Sequence, residues 1–294
     1  MNTRAFTSAV CVLICSILPG CPCFAAHSGD DGDGFSLAAA IAEARATQYA
    51  PAFIDSIRRA NSAIFAPRMR RLDRLPLPQR ETLVYACSWG PIRAGYGVVT
   101  LNSDSSCKGR LEMAAQGVSN NFISAFFRMR DHLRCIIDSA GFYPHFFEEH
   151  IREGRYKADR WILFDPAAGR CYTQKKTYES VESPPYAQSI LSVLFRLRTL
   201  RFAPGDTFSI DCFVQHKSYR VKFRCIRSDV IKIDLGQFSC LLIEPELEGE
   251  GRVFTKKDKL RIWLNTDPYH TPVFIKSKLG FGSLSVQLQR VEQE

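Results

Sequence analysis

Tyr219-Arg220-Val221-Lys222-Phe223-Arg224-Cys225 alternates strictly between apolar and cationic side chains. A side-chain period of two places Tyr219, Val221, Phe223 and Cys225 on one face of an extended strand and the three cations on the other. One face is then buried and the other wet, which is the pattern of an antiparallel sheet. The same period recurs upstream in Phe208, Ile210, Cys212 and Val214, and downstream in Leu284, Val286 and Leu288. Turn-forming clusters separate such runs: Ser139-Ala140-Gly141, Glu153-Gly154, Asp165-Pro166-Ala167-Ala168-Gly169 and Thr266-Asp267-Pro268. The expectation for residues 79–292 is a mainly β domain, a meander of about ten strands.

Two segments break the period. Residues 120–130 carry Phe122, Ala125, Phe126 and Met129 at helical spacing, with a short strand as the alternative. Residues 186–200 follow Pro184-Pro185 and carry Ile190, Leu191, Leu194 and Leu197 as an apolar stripe that Pro204-Gly205 brings to an end. The expected architecture is a strongly curved antiparallel sheet or half-barrel with one or two helices packed on its apolar face. Wherever the helices leave the concavity unfilled, a pocket for a hydrophobic ligand is expected. Its lining would include Ile210, Tyr219, Val221, Phe223, Ile262 and Leu264, facing residues 186–200.

The N-terminus reads as an export signal, with Arg4, a weakly polar run over residues 5–18, a Pro19-Gly20 break and then Cys23-Phe24-Ala25-Ala26. Cleavage after Ala25 is one reading. The other is lipidation of Cys21 in the box Leu18-Pro19-Gly20-Cys21, where the proline fits poorly. The apolar run is short of the roughly 20 residues that span a bilayer. Residues 26–34 read as a polar tether, because the acidic cluster in HSGDDGDG lacks calcium-loop spacing. Residues 35–78 read as a helical appendage ending in a Leu-Pro linker. Leu37, Ala40, Ile41 and Ala44, and then Phe53, Ile54, Ile57 and Ala60, recur at helical spacing among many arginines.

The chain of 294 residues is 46% apolar and 12% aromatic, which excludes disorder, and carries a formal net charge of +9. Export turns that charge away from nucleic acid; it reads first as a solvated basic surface, with contact between the basic N-terminal helices and an anionic membrane surface as the alternative. Of the eleven cysteines, seven lie beyond the export segment, and none belongs to a C-x-x-C pair. Neither a zinc site nor a cofactor is expected. Cys212 and Cys225 share the apolar register of neighbouring strands. A turn centred between Ser218 and Tyr219 would set them opposite each other for a disulfide, with buried free thiols as the alternative.

No catalytic constellation has the right spacing. Glu148, Glu149, Asp159 and Asp165 sit near Arg152, Arg155 and Arg160 and read as cross-strand ion pairs. His145 and His150, five residues apart on a strand, are expected on opposite faces, and Trp89 and Trp263 in the core.

The run Glu81-Thr82-Leu83-Val84-Tyr85 through Ser88-Trp89-Gly90-Pro91-Ile92-Arg93-Ala94-Gly95 resembles a bacterial exported family known as domain of unknown function three-one-zero-eight. The likeness extends through Arg130-Asp131, Phe147-Glu148-Glu149, Gly154-Arg155-Tyr156 and Asp159-Arg160 to Phe164-Asp165. It continues through residues 191–198, 262–267 and 272–280. Ser189 departs from it, standing where the family pattern has an acidic residue. The resemblance implies an exported β-rich domain and no assigned reaction. The meander with a helix before its last third is also similar to the half-barrels of periplasmic lipoprotein carriers, which hold acyl chains. The expected function is a non-enzymatic exported envelope protein binding a hydrophobic or lipid-like ligand. The alternatives are a scaffold with a filled cavity and a hydrolase without a recognisable motif.

Overall fold

The computed structural model describes residues 35–46, 48–65, 72, 77–103, 109–174, 178–214, 216–248, 259–279 and 282–294. The export segment with Cys21, the tether and Cys107 lie outside them. The chain enters through α1 (Leu37–Arg45) and α2 (Pro51–Ala60). It then forms β1 (Glu81–Trp89), β2 (Ile92–Ser103) and β3 (Arg110–Ser119), followed by the one-turn α3 (Asn121–Ser124). Next come β4 (Arg130–Asp138), β5 (Pro144–Glu153), β6 (Tyr156–Asp165), β7 (Arg170–Gln174) and β8 (Tyr178–Glu182). After α4 (Ser192–Arg198) follow β9 (Thr207–Val214), β10 (Lys217–Ile233), β11 (Gly236–Glu248), β12 (Lys259–Asn265), β13 (Pro272–Leu279) and β14 (Gly282–Gln293).

Among the described residues these fourteen strands make one antiparallel sheet, in the order β8-β7-β6-β5-β4-β3-β2-β1-β14-β13-β12-β11-β10-β9. The chain therefore starts at the centre and winds out to one edge. It crosses through α4 to the opposite edge and returns until β14 pairs with β1. Bulges at Val84/Tyr85, Cys87/Ser88, Ile136/Ile137 and Trp263/Leu264 bend the strands, and so many in one sheet impose strong curvature. The curvature brings the edges near each other. Gln188 pairs with β9 through Gln188 N–H to Asp211 O at 2.8 Å and Phe213 N–H to Gln188 O at 2.9 Å. His216 lies 3.2 Å from Glu179, across the same seam. No continuous ladder joins β8 to β9, so the barrel stays open.

The expected period is present. Leu284, Val286 and Leu288 of β14 are all buried, as are Phe223 and Cys225 of β10. The concave face holds the main core, in which Leu101, Met113, Leu133, Phe195, Phe213 and Leu264 are fully covered. Helix α4 lies on it through Leu194, Phe195 and Leu197. Ahead of this helix two serines bond reciprocally: the Ser189 hydroxyl accepts from Ser192 N–H at 3.0 Å, while Ser192 Oγ accepts from Ser189 N–H at 2.9 Å.

The N-terminal helices precede the sheet, as expected, and pack onto its convex face. Ile54 of α2 joins Phe65, Ile136, Phe146, Trp161 and Leu163 in a second core. Ala40 and Ala44 of α1 close on Val118. Ala60, expected on the apolar stripe of α2, is exposed. Covered on both faces, β4 and β5 are buried throughout except at Arg134 and Arg152. That double cover is why these strands show little alternation in sequence.

Gly95 fixes how closely β2 and β3 meet. A Cβ there would stand 2.1 Å from Val118 O, whereas at Gly97 the nearest atom would be 3.8 Å away. Gly95→Ala is expected to lower the unfolding free energy by about 2–4 kcal/mol and Gly97→Ala by under ~1 kcal/mol. Urea unfolding of the two variants tests this pairing, and equal effects would contradict it.

Candidate functional site

All six residues expected to line a pocket sit in or against the main core. Val221 faces Ile210 and Phe223 faces Phe208 across β9 and β10. The Phe208 ring stacks on Phe223 at 5.6 Å and on Phe202 at 5.4 Å. Ile262 lies between Ile243 and Ile275, and Leu264 between Leu241 and Pro272. Neither the cleft beside Arg198 nor the small cavity near Tyr143 is lined by any of the six. Tyr219 and Val221 alone among them are only partly buried besides packing on this core.

The expected Cys212–Cys225 disulfide is not formed. Both thiols are free and buried, because Val214 pairs with Lys217 and that register places Tyr219, not Cys225, opposite Cys212. Cys225 instead reaches back beyond β9, its N–H donating to Asp206 O at 2.9 Å. The six described cysteines are all buried and unbridged. Burial pushes the Cys135 and Cys171 thiols up to about 12, so they are protonated and poor nucleophiles.

Polar chemistry gathers on β4, β5 and β6. On the convex face Arg134 meets Glu148 at 2.6 Å and Glu112 at 3.3 Å. His150 Nδ1 lies 2.6 Å from Asp159, which Arg152 also pairs at 2.7 Å. The link between α1 and α2 covers this network. Gln48 donates its amide to His132 Nε2 at 2.7 Å, and the Tyr49 ring packs edgewise on His150 at 4.8 Å. His145 stacks on Phe65 at 5.3 Å, so it too contacts the N-terminal segment. The expected opposition of His145 and His150 fails because the bulge at Ile136/Ile137 inserts a residue beside His145 and breaks the count by parity. Among the described residues no group of three or more His, Cys, Asp or Glu is placed to hold a metal.

Of the carboxylates read as ion pairs, Glu148, Asp159 and Glu149 are so engaged, Glu149 with Arg160. Asp165 instead accepts from the backbone N–H groups of Ala167 and Ala168 at 3.1 and 2.9 Å. Sequence reasoning missed two sites on the concave face. Asp131, fully buried beside Glu153, has its pKa raised well above the usual carboxylate range by burial and by that second carboxyl. Glu81 receives both terminal nitrogens of Arg198 at 2.6 and 2.7 Å. A signal existed in each case. Asp131 keeps register with Leu133 and Cys135, Glu81 with Leu83 and Tyr85, and Arg198 with Leu191 and Leu194 on the helix stripe.

Beside Arg198 a cleft of about 310 Å³ opens at the mouth of the half-barrel, lined by residues 199–201, 266–268 and His270. Asp267 is occupied within it, accepting from the N–H groups of Tyr269 and Thr271 at 3.0 and 3.2 Å. The second cavity, near Tyr143 and Cys171, has a volume of about 10 Å³, room for about one water.

An open antiparallel half-barrel with a buried crossover helix and an ion-paired interior defines the class. The chain belongs to the family described as Protein of unknown function (DUF3108), whose model matches residues 84–289. No curated protein matches it. Among solved structures it is similar to a beta-barrel-like protein of domain of unknown function DUF1849 from Brucella abortus. Identity is 10% and the TM-score 0.52, over 74% of this chain and 99% of that one. It also matches a Bacteroides fragilis protein described as exported and of YmcC-like fold, at 10% identity and TM-score 0.34, over 74% of this chain and 98% of that one. The Mycobacterium tuberculosis lipoprotein LppX matches at 13% identity and TM-score 0.21, over 84% of this chain and 98% of that one. The Brucella likeness shows the fold, and the two lower scores carry nothing further.

His132 and His145 give this site a defined acid response. Burial, with cationic neighbours secondary, lowers both to about 3. An unfolded histidine takes its proton near pH 6.5, so the unfolded chain binds more protons than the folded one between about pH 6.5 and 3. Their contribution is complete above pH 6.5 and is lost as pH falls, by at most about 1.4 kcal/mol per pH unit per ring. Asp131 works in the opposite sense. Replacing both histidines by phenylalanine is expected to flatten the fall in thermal stability between pH 6.5 and 4; parallel wild-type and variant profiles would contradict the buried neutral state.

Proposed function

We propose that this chain is a non-enzymatic, exported module of the bacterial cell envelope, whose half-barrel is a filled scaffold presenting its surface to a partner. The observation that carries this reading is the packing of Ile210, Phe223, Ile262 and Leu264 in one core with α4. An acyl chain placed among them would have to displace aromatic stacks. Ion-paired carboxylates and protonated buried thiols support a non-catalytic role. The N-terminal export signal supports the location, and among the described residues no helix is long and apolar enough to cross a membrane.

The second reading, a carrier of a lipid-like ligand, is favoured by one observation: Tyr219 and Val221 on β10 are only partly buried. Opening beside them would make room without disturbing the fully covered centre. Native mass spectrometry of protein taken from the envelope separates the two. The filled scaffold predicts the bare polypeptide mass, alone or with a protein partner. A co-purifying lipid released by gentle activation would overturn it in favour of the carrier.

A further inference from the structure

Phe122 is 47% exposed and Phe126 is 70% exposed, the two rings touching edge to face at 5.8 Å on the β3–β4 connection. Exposed aromatic pairs on a loose loop are unremarkable, but this loop is held from beneath. Asn120 accepts from Ile123 N–H at 3.0 Å and donates to Arg93 O at 2.8 Å. Ser124 donates to Ser119 O at 3.1 Å, and Ser119 Oγ accepts from Met129 N–H at 2.9 Å. Phe127 folds inward over Gly154, where a Cβ would stand 2.9 Å from its ring. Buried polar groups thus hold a turn whose two outer rings meet water, and rings held in place lose little freedom on docking.

The surroundings select the partner. Gly154 N–H donates to Arg128 O at 2.8 Å, bringing the β5–β6 turn alongside with the exposed side chains of Arg155, Tyr156 and Lys157. Arg128 is itself 60% exposed while pairing with Glu43. Aromatic rings with a cationic rim are complementary to an anionic lipid surface, the rings entering the headgroup layer and the cations meeting phosphates. The chain also enters the structure at this end of the strands. Phe35 stacks on Tyr96 at 5.4 Å, next to the Gly95–Ser119 pair at the end of β3. Residues 1–34 continue from that point, so a lipid on Cys21 would hold this tip within roughly 45–50 Å of the bilayer.

We infer that the tip formed by Phe122, Phe126, Tyr156, Arg128, Arg155 and Lys157 docks on an anionic phospholipid surface. It is a contact separate from the one expected of the basic N-terminal helices, whose Arg68, Arg70, Arg71 and Arg74 lie outside the described residues. It rests on the envelope location proposed above and not on whether the half-barrel is filled. Its test is separate from native mass.

Protein purified from the envelope with its own N-terminus is mixed with vesicles of phosphatidylethanolamine and phosphatidylglycerol, or of phosphatidylcholine alone. Hydroxyl-radical oxidation of Phe122 and Phe126 is then read peptide by peptide. Protection of both rings by several-fold is expected on the phosphatidylglycerol vesicles. Phe122→Ser with Phe126→Ser, at unchanged melting temperature, is expected to weaken vesicle binding roughly tenfold when no lipid anchor is present. Arg155→Gln with Lys157→Gln is expected to lose about fivefold per charge. If Cys21 proves lipidated, flotation is retained and ring protection decides. Equal oxidation with and without vesicles would overturn the inference. So would equal protection on phosphatidylcholine, or protection by envelope protein extract and not by lipid.

Discussion

Arg198 brings a positive charge into the main core, and Glu81 meets it there with both carboxylate oxygens. Each side chain is 1% exposed. Their remaining hydrogen-bonding groups are used as well: Gln293 donates to Glu81 at 2.7 Å, and Arg198 Nε donates to Tyr269 O at 3.0 Å. Four separate pieces of chain converge on this pair. β1 and β14 are the seam at the centre of the sheet, α4 is the crossover between its two edges, and Tyr269 precedes β13. A buried pair of this kind adds little net stability over an apolar substitute, but it tolerates no other register. The bulges curve the half-barrel, and this pair ties the crossover helix to the middle of the curved sheet.

Much of this architecture was legible in the sequence, for a physical reason in each case. Strands β9, β10 and β14 have one wet face over much of their length, so their period of two survives, whereas β11 and β12 bury Cys240 to Ile243 and Ile262 to Leu264 on both faces. Of the helix expected over 186–200 only Ser192–Arg198 forms; Leu194 and Leu197 of the stripe are buried in it, and Ile190 and Leu191 lie in the turn that leads into it. Alternation fixes faces but not pairing, since a slide by an even number of residues leaves every side chain on its own face. The misplaced partner of Cys212 is such a slide, from Cys225 to Tyr219. β4 and β5 hid their role differently, because cover on both faces removes the period that would have marked where α1 and α2 dock.

The candidate sites were less legible than the fold. Charged residues in apolar register, Glu81, Asp131 and Arg198, were the signal for the buried polar groups, and composition alone masks it. The helical spacing of Phe122 and Phe126 was visible and its meaning was inverted. The stripe points outward, because Asn120, Ser119 and Ser124 spend their hydrogen bonds on holding a single turn rather than extending a helix. The proposed function therefore rests on surface more than interior. Around the main core the interior is packed with aromatic rings and buried ion pairs, while Phe122 and Phe126 stay exposed.

A double-mutant cycle on Glu81→Leu and Arg198→Met, followed by urea unfolding, tests the central role of the buried pair most directly. The account predicts that each single change costs about 3–5 kcal/mol by stranding its partner, and that the double variant is no less stable than either single. Additive losses in the double variant would mean that the two residues act independently and that the crossover helix is held by packing alone.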